Sequence, residues 1–176
     1  MYQMKTLYLI GFMGSGKSTV GRLLGKVLDL PFMDMDDEIV GVNGKSINQI
    51  FKDHGEEYFR NLETGLLESI PSQGGVIATG GGVVLREKNR KLMKETGIII
   101  YLEATETEIL TRLKGDESRP LLAGKKEVEI RKRLSQRLPL YTETADIQIK
   151  TDGGTPEQIV SVLIDRLKGI EYGHTC

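Results

Sequence analysis

Eight consecutive residues, Gly11-Phe12-Met13-Gly14-Ser15-Gly16-Lys17-Ser18, carry the strongest chemical signal in this chain. They satisfy the phosphate-loop pattern G-x-x-x-x-G-K-[ST] at every fixed position. Glycines there let successive backbone N–H groups turn inward toward phosphate oxygens. A helix starting near Lys17 adds the positive end of its dipole. The pattern places the Lys17 ammonium on the β- and γ-phosphates of a nucleotide and the Ser18 hydroxyl on Mg²⁺.

A phosphate loop by itself does not separate kinases from GTPases, motors or regulatory modules. Other residues narrow the choice. In Phe32-Met33-Asp34-Met35-Asp36-Asp37, strand alternation sets Asp34 and Asp36 on one face and Met33 and Met35 on the other. Two carboxylates beside a triphosphate suit two tasks, holding the Mg²⁺ shell and accepting a hydroxyl proton. Asp36 or Asp37 could instead cap the next helix, and for Asp37 the spacing favours the cap. Arg60 and Glu63 stand three apart, neighbours on a helix face. They are either a surface ion pair, or a pair in which Glu63 aims the planar Arg60 fork at a substrate carboxylate.

Gly80-Gly81-Gly82 follows the apolar run Val76-Ile77-Ala78. Three glycines at a strand's C-terminal end read as close approach of a ligand to backbone, or as a plain flexible loop. Arg119 could fold over ATP and stabilise charge on a transferring phosphoryl group. Arg137 lies near the end of a basic helix, with Pro139 locking the chain just beyond it. The cations from Lys125 to Arg133 are interspersed with Glu127 and Glu129 and read as a solvated face.

Positioning these groups calls for short strands alternating with helices, an α/β fold with a parallel sheet. The expected strands are Thr6–Ile10, Phe32–Met35, Gly75–Thr79, Gly97–Leu102 and Asp146–Ile149. Ser46–Gln49, Thr105–Glu108 and Thr155–Gln158 each fit a capping box, and Pro156 suits a first helical position. Gly169 is the expected stop of the last helix. The first helix is expected to bury Val20, Leu23, Leu24, Val27 and Leu28. Residues 36–70 read as a small helical subdomain, and 114–125, with Gly115, Pro120 and Gly124 among charges, as a lid.

The composition excludes several classes. At 176 residues the chain has the length of one domain, 1–176. Twenty-four basic against 25 acidic residues leave a net charge of −1, with no global attraction to nucleic acid or anionic lipid. Cys176 is the sole cysteine, so no intrachain disulfide forms. Leu7–Ile10 leads into the glycine loop without a cleavage site, and no apolar run approaches the roughly 20 residues of a membrane span. A cytoplasmic location is expected. Protein-kinase motifs, H-E-x-x-H and G-x-S-x-G are absent, and His54 and His174 stand isolated.

Together these residues resemble the shikimate kinase family. The phosphate loop, F-x-D-x-D, G-E-x-x-F-R-x-x-E at Gly55–Glu63, T-G-G-G, R-P-L at Arg119 and R-x-P-x-Y ending at Tyr141 occur in the family's order. The resemblance implies a nucleoside monophosphate kinase-like fold: a five-stranded parallel sheet in order 2-3-1-4-5 flanked by helices, with a substrate-binding subdomain and a lid. It implies ATP-dependent phosphorylation of the 3-hydroxyl of shikimate by a monomer. Gly14, Ser15, Gly16, Lys17, Ser18 and Thr19 would bind ATP, with Arg119 on the phosphates and Arg112 stacking on adenine. Ser18 and Asp34 would hold Mg²⁺, Asp34 through water. Asp36 would bind the shikimate hydroxyls as candidate base, Arg60 and Arg137 would clamp its carboxylate, and Gly80, Gly81 and Gly82 would line its site. A different small-metabolite kinase, such as a gluconate kinase, and a regulatory nucleotide-binding module are the competing readings.

Overall fold

The computed structural model describes residues 5–71, 74–114 and 126–172. The strands are β1 (Thr6–Ile10), β2 (Phe32–Asp34), β3 (Val76–Ala78), β4 (Gly97–Glu103) and β5 (Ile147–Lys150). All pair in parallel, in the order β2-β3-β1-β4-β5. The helices are α1 (Lys17–Leu28), α2 (Met35–Asn43), α3 (Ile47–Ser69), α4 (Glu87–Thr96), α5 (Glu106–Lys114), α6 (Lys126–Thr144) and α7 (Pro156–Tyr172). A 3₁₀ turn, Val83–Leu85, precedes α4.

The period of two in β1 builds both sides of the core. Leu7 and Leu9 face a cluster with Val20 and Leu24 of α1 and Ile159, Val160 and Leu163 of α7. Tyr8 and Ile10 face the other cluster, with Leu67 of α3, Met93 of α4, Ile109 of α5 and Tyr141 of α6. A smaller cluster of Ile39, Ile50 and Phe59 joins α2 to α3.

The cap signals hold. Ser46 and Thr105 accept from the N–H groups of Gln49 and Glu108 at 3.2 and 3.3 Å. Thr155 and Gln158 close a reciprocal box at 2.9 and 3.3 Å.

Four local expectations are corrected. Val27 is 54% exposed, so it is not part of the buried stripe of α1. The buried face is instead Lys17, Val20, Gly21, Leu24 and Gly25. The two glycines bring α1 close to the sheet: a Cβ on Gly21 would lie 2.7 Å from Phe32 and 2.9 Å from Leu9. That contact rotates Val27 toward solvent. Second, β2 stops at Asp34, and Met35 opens α2 with its side chain buried in the core. Asp36 therefore stands on a helix and not on a strand. Third, α7 runs through Gly169 to Tyr172, because Ile170 still has core to pack against. Fourth, α6 continues past Pro139 to Thr144, so the proline lies within the helix at the loss of one N–H donor.

Candidate active site

The C-terminal ends of β1, β2 and β3 lie side by side in the sheet order, and each releases a functional segment. From β1 comes the phosphate loop. Gly11 is obligatory by close approach, since a Cβ there would meet the Leu102 carbonyl oxygen at 2.6 Å and the Ser15 hydroxyl at 2.8 Å. Gly16 caps α1 in the left-handed region at φ 90°. Lys17 is buried, and its ammonium donates to the carbonyls of Gly11 at 2.8 Å and Phe12 at 2.9 Å. Ser18 and Thr19 are exposed on the first turn of α1.

From β2 comes Asp34, which serves two elements at once. Oδ1 accepts from the N–H groups of Asp36 and Asp37 at 3.0 and 3.2 Å, so Asp34 itself is the N-cap of α2. The spacing favoured Asp37 as that cap; the early end of β2 moves it to Asp34. Its other oxygen, Oδ2, accepts from the Ser18 hydroxyl. The two expected metal ligands are thus adjacent. No cluster of three or more His, Cys, Asp or Glu able to hold a metal occurs among the described residues. Mg²⁺ bound through one or two protein oxygens plus phosphates and water fits such a sparse set.

From β3 comes the triple glycine, around which the acidic and basic groups gather. A Cβ on Gly80 would lie 2.5 Å from Glu63 Oε1 and 3.1 Å from Asp36 Oδ1. On Gly81 it would lie 3.4 Å from an Arg137 nitrogen and 3.3 Å from the Met13 amide, and on Gly82 2.5 Å from the Arg60 guanidinium. Close approach, and not mere flexibility, accounts for all three glycines.

The Arg60–Glu63 pair is buried and not a surface pair: the residues are 8% and 0% exposed. Arg60 donates to Glu63 Oε2 at 2.5 Å and to Glu56 at 3.1 Å. Burial pushes the Glu63 pKa up, with the Asp36 charge adding to it and Arg60 and Arg137 pulling down. Burial opposes the Arg60 charge too, yet Glu63 and Glu56 hold it more firmly protonated than usual. Arg137 is 5% exposed, and no carboxylate lies within ion-pair distance of it among the described residues. Burial and the nearby Arg60 charge both lower its pKa, while Tyr141 supports it. Its guanidinium lies 5.6 Å above the Phe12 ring.

Arg60, Arg137, Asp36, Glu63, Met13 and Gly80–Gly82 all line one cleft of about 320 Å³, joined by Phe51, Phe59 and Arg133. A broader groove of about 490 Å³ runs between β5 and α7, but it contains none of the motif residues. Arg112 bridges the phosphate loop and the segment after β5, donating to the Gly14 carbonyl at 3.0 Å and the Thr151 carbonyl at 3.5 Å. Glu108 holds it at 2.8 Å. Arg119 and the rest of the expected lid beyond Lys114 lie outside the described residues.

Sequence reasoning raised Glu63 as one of two readings of its pair with Arg60, and gave Phe12 and Tyr141 no role beyond their places in motifs. Tyr141 could have been found from its spacing, four residues past Arg137 on one helix face. Phe12 left no such signal, because its role depends on a contact across the fold.

A family model for Shikimate kinase matches residues 13–168. The shikimate kinase of Thermodesulfovibrio yellowstonii is 44% identical over 174 residues, 98% of this chain and 100% of the relative. That of Persephonella marina is 43% identical over 166 residues, 94% of this chain and 100% of the relative. Among solved structures, the shikimate kinase from Acinetobacter baumannii in complex with shikimate superposes with a TM-score of 0.90 at 37% identity, covering 94% of each chain.

Proposed function

This chain belongs to the shikimate kinase family, and from that we infer how its residues share the transfer of the ATP γ-phosphate to shikimate. Phosphoryl transfer asks little covalent chemistry of a protein, so positioning and charge stabilisation dominate. Gly14 to Thr19 cradle the phosphates, and Lys17 turns from its carbonyl partners to the β- and γ-phosphates. Ser18 and Asp34 would hold Mg²⁺, which would supply positive charge to offset that of the phosphates during transfer. Arg112, with the loop before Pro156, receives adenine, and Arg119 closes over the phosphates from the lid at 114–125.

Shikimate enters the cleft carboxylate first, between Arg60 and Arg137, with Gly80, Gly81 and Gly82 against its ring. Asp36 binds its hydroxyls and accepts the proton of the 3-hydroxyl as that oxygen attacks the γ-phosphorus. Residues 36–70, which include the small α2–α3 core, form the substrate-binding subdomain of one domain spanning 1–176. The enzyme works as a cytoplasmic monomer; no helix among the described residues is long and apolar enough to cross a membrane.

The observation that carries this reading is Arg137, a buried guanidinium with no ion-pair partner among the described residues, set beside a second buried arginine at Arg60. Arg60 is already paired with Glu63 and Glu56, so Arg137 is the buried cation that stays costly until a further anion joins it. A carboxylate with bidentate geometry is the anion that fits a planar fork.

ADP formation measured with shikimate, gluconate, AMP or no acceptor, each with and without Mg²⁺, tests it. Stimulation by shikimate alone, dependent on Mg²⁺, is expected. Stimulation by another acceptor in place of shikimate would overturn the roles given to Arg60, Arg137 and the glycines.

A further inference from the structure

Tyr141 is fully buried, yet its hydroxyl has no part in the binding and transfer steps above. The ring stacks on Tyr101 at 5.1 Å between centroids, with 23° between planes, which anchors it to β4. From that anchor the hydroxyl donates to the Gly81 carbonyl oxygen, 60 residues away in sequence. The Arg137 guanidinium, one helical turn earlier on α6, lies beside the same hydroxyl. One hydroxyl therefore donates to the glycine loop while its oxygen neighbours the arginine.

Both partners need such a restraint. Gly81 has no side chain to hold its peptide, and a trans peptide pinned at the Gly81 oxygen also fixes which way the Gly82 N–H points. Arg137 has no carboxylate among the described residues to orient its fork before substrate arrives. The Phe12 ring packs on it but does not select the rotation of the guanidinium in its plane.

We propose that Tyr141 is a positioning residue for the acceptor substrate: it aims the Arg137 fork and locks the Gly81 peptide, so that the carboxylate meets a preset site. The proposal rests on the reading of Arg137 as carboxylate clamp. Tyr141 touches no reacting atom, and its effect passes through Arg137 and the loop.

Steady-state kinetics of Tyr141→Phe, Arg137→Ala and the double variant test it, with shikimate and ATP each varied. Phenylalanine keeps the ring and its stacking while deleting the hydroxyl. The expected result for Tyr141→Phe is a shikimate KM raised about 10-fold, with kcat and the ATP KM within about 2-fold, the size expected for one lost hydrogen bond. Arg137→Ala raises the shikimate KM further, and adding Tyr141→Phe to it raises KM by less than Tyr141→Phe does alone, the remainder being the part that passes through the Gly81 loop. Independent, multiplying effects, or an unchanged KM in Tyr141→Phe, would overturn the proposal. An unchanged KM in Arg137→Ala would instead overturn the clamp on which it rests. A second readout needs only the single variant: the methyl ester of shikimate, used as competing ligand, should lose less affinity from Tyr141→Phe than shikimate does. A loss for the ester as large as for shikimate itself would mean that Tyr141 supports general packing, and the proposal fails.

Discussion

Asp34 and Ser18 meet through one carboxylate oxygen while the other oxygen of Asp34 caps α2. A single side chain thus couples the start of α2 to the candidate Mg²⁺ site. Asparagine caps a helix as well as aspartate does, so Asp34→Asn should leave stability within about 0.5 kcal/mol, whereas Asp34→Ala should cost about 0.5–2 kcal/mol. Both should raise the Mg²⁺ concentration for half-maximal activity by about 10-fold or more. Urea denaturation and Mg²⁺ titration of the two variants separate cap from metal ligand. A normal Mg²⁺ requirement in Asp34→Asn would remove Asp34 from the metal site.

Asp36 stands on the first turn of α2 with Gly80 and Glu63 beside it. If it accepts the hydroxyl proton, Asp36→Ala lowers kcat by about 10²–10⁴ with shikimate saturating. Single-turnover measurement isolates the chemical step; a near-normal rate there would leave Asp36 as a binding residue only.

Glu63 gives stability a pH dependence of definite sign. Its folded pKa lies above the ordinary carboxylate value of 4.5, chiefly through burial. The folded state therefore binds more protons than the unfolded state between these two values. The contribution is fully present below 4.5 and is lost as pH rises through the folded pKa. Glu63→Gln should flatten that part of the profile. The check is unfolding free energy by urea at a series of pH values for both proteins. Parallel profiles would mean that Glu63 ionises as an ordinary carboxylate.

Gly82 has φ −99°, which alanine adopts freely, but the added Cβ would lie 2.5 Å from the Arg60 guanidinium. The guanidinium is the movable end of a long side chain, so it yields. Gly82→Ala should therefore cost under about 1 kcal/mol in stability while raising the shikimate KM about 10- to 100-fold. Thermal melting and acceptor kinetics together decide it. An unchanged KM would show that the position of Arg60 is not critical for the acceptor.

Two helical glycines should respond in opposite directions. Gly21→Ala forces a methyl against Phe32 and Leu9 and should destabilise by about 1–3 kcal/mol. Gly169 lies inside α7, and a methyl added there would meet nothing within 4 Å, so Gly169→Ala should stabilise by about 0.5–1 kcal/mol. Urea denaturation of both variants provides the comparison, and equal effects would refute the packing explanation of Gly21.

Local rules set much of this molecule. The phosphate loop, the capping boxes and the strand positions follow from residue type and spacing, because backbone conformation, capping and strand alternation act over a few residues. The ordered motifs pointed to the family for the same reason: each is short enough to read in place. Tertiary structure decided the rest. Whether Arg60 and Glu63 formed a surface pair or a buried one depended on what β3 and its glycines brought against α3. Val27 turned outward because Gly21 and Gly25 face the sheet, and periodicity of apolar side chains does not count a glycine as a contact surface. Asp36 moved from strand to helix because Met35 found the core one residue earlier than alternation implied. Arg137, Tyr141, Phe12 and Gly81 are drawn from distant stretches of the chain, so only packing could place them together. Long-range contacts of this kind leave no periodic trace, since their energy is gained only after the chain has closed the loops between them.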